Sequence, residues 1–98
     1  MKKDWRLEQL EAQPHLRGVA FLRKPYHPPS PEWDHDHCAA CWTTLAAPRI
    51  IGVNIIHEGY TTTSEFVCGA DYAWICVPCF ELFHAIMEWR DATAAVSG

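Results

Sequence analysis

Two C-x2-C pairs, a β-branched stretch between them and a helix-periodic segment opening at the second pair predict an α+β fold. The expected architecture is a small metal-stapled domain made of a cysteine turn, a β-hairpin and a C-terminal helix, entered through an N-terminal helix and strand. At 98 residues the chain is one domain's worth, a size at which a hydrophobic core alone gives marginal stability and a staple helps. Five tryptophans, four phenylalanines and three tyrosines supply large side chains, so a packed core is expected. No run approaches the roughly 18 uncharged apolar residues of a membrane span, and the opening MKKDWRLEQLEAQPHLRG carries charges where a signal peptide needs an apolar stretch. A cytoplasmic protein is expected, in a reducing compartment where paired cysteines serve metal or redox chemistry in preference to disulfides.

Asp4 to Ala12 has an N-cap aspartate and helix formers and is stopped by Pro14, which predicts a short helix. RGVAFLRKPY alternates Val19, Phe21 and Arg23 with Ala20, Leu22 and Lys24 and reads as a strand, placed at a sheet edge by its cationic end. Pro28, Pro29 and Pro31 can sustain neither a ladder nor a helix interior. The chain therefore divides into an N-terminal helix and strand arm over residues 1–26, a proline-rich connector over 27–32 and a metal-binding body with its C-terminal helix over 33–98. Within the body, RIIGVNIIHEGY predicts one strand, a turn near His57 to Gly59, and a second strand through Tyr60 to Ser64. CGADYAWIC passes through a Gly/Asp turn into a short extended piece ending at Cys76. From Pro78 the period is helical. At about 100° per residue Glu81, His84, Glu88 and Asp91 share a polar stripe, and Phe80, Leu82, Phe83, Ile86, Met87 and Trp89 occupy the rest. That predicts a helix buried over a wide face, with His84 and Glu88 as an i, i+4 pair and DATAAVSG fraying beyond it.

Cys38-Ala39-Ala40-Cys41 and Cys76-Val77-Pro78-Cys79 are separated by 34 residues. Each C-x2-C turn brings two thiolates to one side at a spacing suited to a tetrahedral ion, and two such turns complete four-sulfur coordination. The second pair falls where the helix begins, and free N–H groups and the positive dipole end stabilise thiolates there. Structural Zn²⁺ held by Cys38, Cys41, Cys76 and Cys79 is the expected cofactor, and Cys68 reads as a free thiol. This order of cysteine turn, hairpin and helix carrying the second pair resembles the treble-clef group of zinc fingers over roughly residues 38 to 90. The resemblance implies a fold and not an activity.

The stretch WDHDHCAACW places Asp34, His35, Asp36 and His37 just before the first pair. In an extended segment the histidines face one way and the aspartates the other. Three roles are open. His37 displaces a cysteine in a Cys3His site; or the imidazoles donate to thiolates and carbonyls while the aspartates fix turns or imidazole N–H groups, with Trp33 and Trp42 covering the cluster from solvent; or the group is catalytic. The last invites comparison with HNH nucleases, which are similar in using a zinc-stabilised treble clef. They carry an Asp-His motif between the pairs and an asparagine after the second; here Asp34 to His37 precede the first pair and Phe80 holds the asparagine's place. WICVPCF is similar to the W-C-x-P-C site of thioredoxin-type oxidoreductases, although Ile75 intervenes between Trp74 and Cys76 and no βαβ context precedes it.

The net charge of −4 hides an asymmetry: residues 1–24 hold six cations against three acids, net +3, and residues 25–98 hold Arg49 and Arg90 against nine acids, net −7. Duplex binding needs several cations to displace counterions, so nucleic acid is a poor partner for such a body. The arrangement resembles small acidic immunity proteins that neutralise bacterial toxins. That resemblance implies a non-enzymatic protein-binding module with a basic toxin or effector as partner and Asp34, Asp36, Glu58, Glu65 and Asp71 as contacts. The alternatives are a nucleic-acid-associated zinc-finger regulator acting through Lys2, Lys3 and Arg6, and a dithiol oxidoreductase acting through Cys76.

Overall fold

The computed structural model describes residues 4–28, 30 and 32–93. Helix α1 spans Trp5–Glu11. The Asp4 carboxylate caps it by accepting the Arg6 N–H, and the chain leaves it through a single 3₁₀ turn at Pro14–Leu16. Strand β1 (Ala20–Pro25) follows Gly18, whose φ of 73° suits glycine. The remaining elements are β2 (His35–His37), β3 (Thr44–Ala46), β4 (Ile55–Ile56), β5 (Glu58–Thr62), β6 (Trp74–Ile75), helix α2 (Val77–Met87) and β7 (Arg90–Asp91). They form one sheet in the order β6-β5-β1-β7 and a second in the order β2-β3-β4, with a bridge between Cys38 and Trp74 joining them. The fold is α+β, with a cysteine turn, a hairpin and a helix in the expected order.

Four local expectations are corrected. β1 is not an edge strand: β5 lies antiparallel along it, with Phe21 opposite Thr62, and β7 lies parallel on its other side at Ala20 and Phe21. Phe21 and Ala20 are buried on opposite faces, and burial of both faces at the start of the strand outweighs the cationic end, where Arg23 pairs with Glu58. The hairpin is not formed by the two halves of RIIGVNIIHEGY. Ile55 and Ile56 pair in parallel with Thr44 and Leu45 in the second sheet, while β5 pairs antiparallel with β6. The hairpin thus closes through residues 63–73, where Gly69 (φ 92°) and Asp71 (φ 59°) make the Gly/Asp turn, and the buried Thr62 hydroxyl donates to the Gly69 carbonyl and accepts the Tyr72 N–H.

Helix α2 is buried over a narrower face than its composition implies. Phe80, Phe83 and Met87 are inside, whereas Leu82 and Ile86 are more than half exposed. Glu88 ends the helix in a left-handed conformation (φ 58°), which turns its carboxylate to Arg17 at 3.1 Å and away from His84. His84 instead stacks on Phe80. The core is aromatic: Tyr60 stacks on Phe80 at 3.8 Å, and Phe21 meets Trp89 edge-on at 5.2 Å. Leu10, Leu16, Phe21 and Tyr26 from the N-terminal segment belong to the same buried cluster as the cysteines. Residues 29 and 31 of the connector and residues 94–98 of DATAAVSG lie outside the described residues. No helix among the described residues is long and apolar enough to cross a membrane.

Candidate metal centre

Cys38 follows β2 directly and is held between two elements: its N–H donates to the Thr43 carbonyl at 2.8 Å, and the next N–H, of Ala39, donates to the Trp74 carbonyl at 2.9 Å. The turn that carries Cys41 closes when the Trp42 N–H reaches back to the Cys38 carbonyl at 2.9 Å. Closure forces Trp42 to a φ of 67°, a left-handed conformation uncommon outside glycine. Strand β6 then delivers Cys76 to the N-cap position of α2, and Pro78 at the head of the helix leaves its missing N–H where none is needed. Cys79 lies one turn on, so both sulfurs of the second pair sit at the helix N-terminus.

The four Sγ atoms converge. Those of Cys38, Cys41, Cys76 and Cys79 all lie within 4.8 Å of one another, and Cys41 and Cys76 are 3.6 Å apart. A tetrahedral zinc with bonds of about 2.3 Å has sulfur–sulfur edges of roughly 3.8 Å, so the cluster has the dimensions of such a site. All four are free thiols, and no disulfide ties them. Cys38, Cys76 and Cys79 are buried and Cys41 is partly so. Backbone donors surround the first sulfur: Cys38 Sγ accepts the N–H of Ala40 at 3.4 Å and that of Cys76 at 3.3 Å. The Cys41 thiol donates to the Thr43 hydroxyl oxygen at 3.2 Å, a bond a thiolate would reverse.

The electrostatics favour a cation. Hydrogen bonds from the thiols of Cys76 and Cys79 hold the Cys38 pKa far below the ordinary thiol range, and the Cys38 sulfur in turn pushes those of Cys76 and Cys79 upward. Several bare thiolates in one buried space repel, so charge on Cys38 opposes charge on Cys76 and Cys79. A dication removes that repulsion and frees the protons.

The residues of WDHDHC are arranged otherwise. Among the described residues the group that could hold a metal consists of cysteines alone. His35 and His37 share the exposed face of β2, with rings 5.0 Å apart, in keeping with the expected alternation. Asp34 bonds the His35 ring at 2.6 Å. No hydrogen bond among the described residues joins either imidazole to a sulfur. Asp36 is turned inward and accepts the Tyr26 hydroxyl at 2.7 Å and the Trp33 indole N–H at 3.1 Å. Trp33 and Trp42 do not cover the cluster: they are 52% and 58% exposed.

Of the other acids named as contacts, Glu58 pairs with Arg23 and Asp71 with Lys24 at 2.6 Å, while Glu65 is exposed. Arg6 is fixed by a two-point bond to Asp4 and lies over the Phe83 ring at 5.4 Å. Lys2 and Lys3 lie outside the described residues. Residues to which the sequence reading gave no role at the cluster are Thr43, Tyr26 and Trp74. A hydroxyl two positions after Cys41 was the available signal for the first; the roles of the other two depend on long-range pairing. No family model matches the chain, and comparison with curated proteins and with solved structures finds no match.

Proposed function

We propose that Cys38, Cys41, Cys76 and Cys79 hold one Zn²⁺ in a closed four-sulfur site that stabilises the fold, and that the acidic body built on it binds a basic protein partner. The convergence of four unbridged sulfurs from two distant turns carries this reading. Four thiolates fill a tetrahedral ion's coordination and leave no open position for water, so the metal serves structure and not hydrolysis. Four thiolates and one dication together carry −2, which makes the body more acidic still and favours cationic partners.

An immunity-type role, in which the domain occludes the basic active site of a toxin, is the form of protein binding that best suits a small acidic domain of this kind. The dithiol oxidoreductase reading fares worse because an attacking cysteine must be accessible and activated. Cys76 and Cys79 are 5% and 1% exposed, and the Cys76 thiol is pushed up by the neighbouring Cys38 sulfur. The binding reading is tested by capturing partners with the metal-bearing chain and titrating the purified partner against wild type and against a charge-reversed Asp34/Glu65 variant. A basic protein that binds wild type and weakens with charge reversal supports it. A partner that is acidic, or a nucleic acid, overturns it.

A further inference from the structure

A cleft of about 820 Å³ opens beside the metal centre, with Cys38 on its floor. Trp33, Trp42 and Tyr72 line it, and each is more than half exposed, so three aromatic faces are presented to solvent in one concavity. No lysine or arginine lines it, and two acids do. Lys24 pairs with one of them, Asp71, at 2.6 Å, which leaves Asp36 as the uncompensated charge. Both bonds that Asp36 accepts, from Tyr26 and from Trp33, end on Oδ2, and its Oδ1 has no partner among the described residues. The same Trp33 bond fixes that indole in place before anything binds.

Trp42 supplies the second argument. Its φ of 67° belongs to a region that glycine enters without steric cost, yet the position holds a tryptophan with 58% of its surface exposed. The fold gains little from so exposed a ring. The His37 ring packs against it at 5.5 Å, which orients the indole at the cleft. Strain retained at an exposed aromatic points to a binding role for the side chain.

Aromatic faces beside a carboxylate, with no lysine or arginine in the lining and only the imidazoles of His15 and His37 as other basic groups, are complementary to a flat delocalised cation. We propose that this cleft takes the guanidinium of an arginine on a basic protein partner, stacked on the Trp33 and Trp42 indoles and paired with Asp36. The proposal rests on the basic-partner reading above and adds the place where that partner is gripped. A guanidinium suits the site better than an ammonium because it stacks on an indole while donating in its own plane to a carboxylate.

The test titrates the metal-bearing chain with a short arginine–glycine peptide and with its citrulline counterpart, which keeps the shape and loses the charge. Binding is read from tryptophan fluorescence and from the Trp33 indole N–H resonance. The arginine peptide is expected to bind at least about tenfold more tightly than the citrulline peptide. Trp42→Gly, which relieves the left-handed strain and so stays folded with its metal, is expected to lose about tenfold, as is Asp36→Asn, which keeps an acceptor for Tyr26 and Trp33. Arginine-peptide binding undiminished in both variants overturns the cleft and leaves the basic-partner reading standing. Equal binding of arginine and citrulline peptides overturns the guanidinium site, and the partner-capture experiment alone decides the basic-partner reading. Tighter binding of a trimethyllysine peptide than of the arginine peptide overturns the guanidinium assignment.

Discussion

Truncating Cys38 to alanine is expected to weaken metal binding far more than truncating Cys41, although each change removes one sulfur. The difference lies around the sulfurs. Cys38 is 1% exposed and its Sγ accepts two buried backbone N–H groups, at 3.4 Å from Ala40 and 3.3 Å from Cys76. Cys41 is partly exposed, and among the described residues its sulfur's one hydrogen-bond neighbour besides sulfur is the Thr43 hydroxyl, which can turn to water. Losing Cys38 strands two donors in the interior at about 1–3 kcal/mol each, and losing Cys41 strands none. Bonds to sulfur are long, so the low end applies, giving a gap of about 2 kcal/mol, or about 30-fold in affinity. Folding and metal binding are coupled in small domains of this type, so the gap appears in the apparent zinc dissociation constant measured by competition with a chromogenic chelator, even where the metal-free variants are unfolded. Equal affinities, or weaker binding by Cys41→Ala, would refute the asymmetric role assigned to Cys38.

Three further outcomes are expected. A Cβ at Gly59 would meet the Ile75 carbonyl oxygen and Leu45 Cδ2, both at 2.8 Å. Gly59→Ala should therefore cost about 1–3 kcal/mol and lower Tm by roughly 5–15 °C with metal content unchanged; an unaltered melting curve would show that the two sheets do not approach so closely. Trp89→Phe removes a buried 2.8 Å bond from the indole N–H to the Leu16 carbonyl and should cost about 1–3 kcal/mol in urea unfolding; a loss under about 0.5 kcal/mol contradicts the bond. The Asp91 carboxyl is held below its ordinary pKa of 3.8, chiefly by hydrogen bonding to Thr93. A depressed carboxyl pKa stabilises the fold above the unfolded-state value and loses that contribution as pH falls through the folded-state value. Wild type should accordingly exceed Asp91→Asn in stability at about pH 6, with the gap narrowing as pH falls below 3.8; a gap that does not narrow in acid points to a cause other than ionisation.

The four-cysteine cluster was legible because its information is local. Each C-x2-C turn specifies its own geometry, Pro78 marks the helix start, and Asp4 and Pro14 bracket α1. What stayed hidden depends on pairing between distant segments. Ile55 and Ile56 have the composition of either half of a hairpin, and only the parallel partner at Thr44 and Leu45 assigns them to the second sheet. The edge reading of β1 failed for a similar reason: β7 is two residues long, carries no strand signature of its own, and exists because Glu88 turns the chain back after α2. The wide apolar face attributed to α2 came from counting Leu82 and Ile86, which stay more than half exposed while Phe80 on another side of the helix joins the stack with Tyr60 and Trp89. Asp36 looked like a surface acid, yet burial of Tyr26 gives it a hydroxyl to hold. Trp42 looked like a cover for the sulfurs, and the left-handed turn that closes the first cysteine pair directs it outward instead.

The account depends most on the four sulfurs acting together on one ion. Native mass spectrometry of the purified chain, with melting curves recorded before and after a strong chelator, tests this directly. One zinc per chain and a cooperative transition that disappears on chelation are the expected results. A metal-free chain that melts at the same temperature with or without chelator would contradict it.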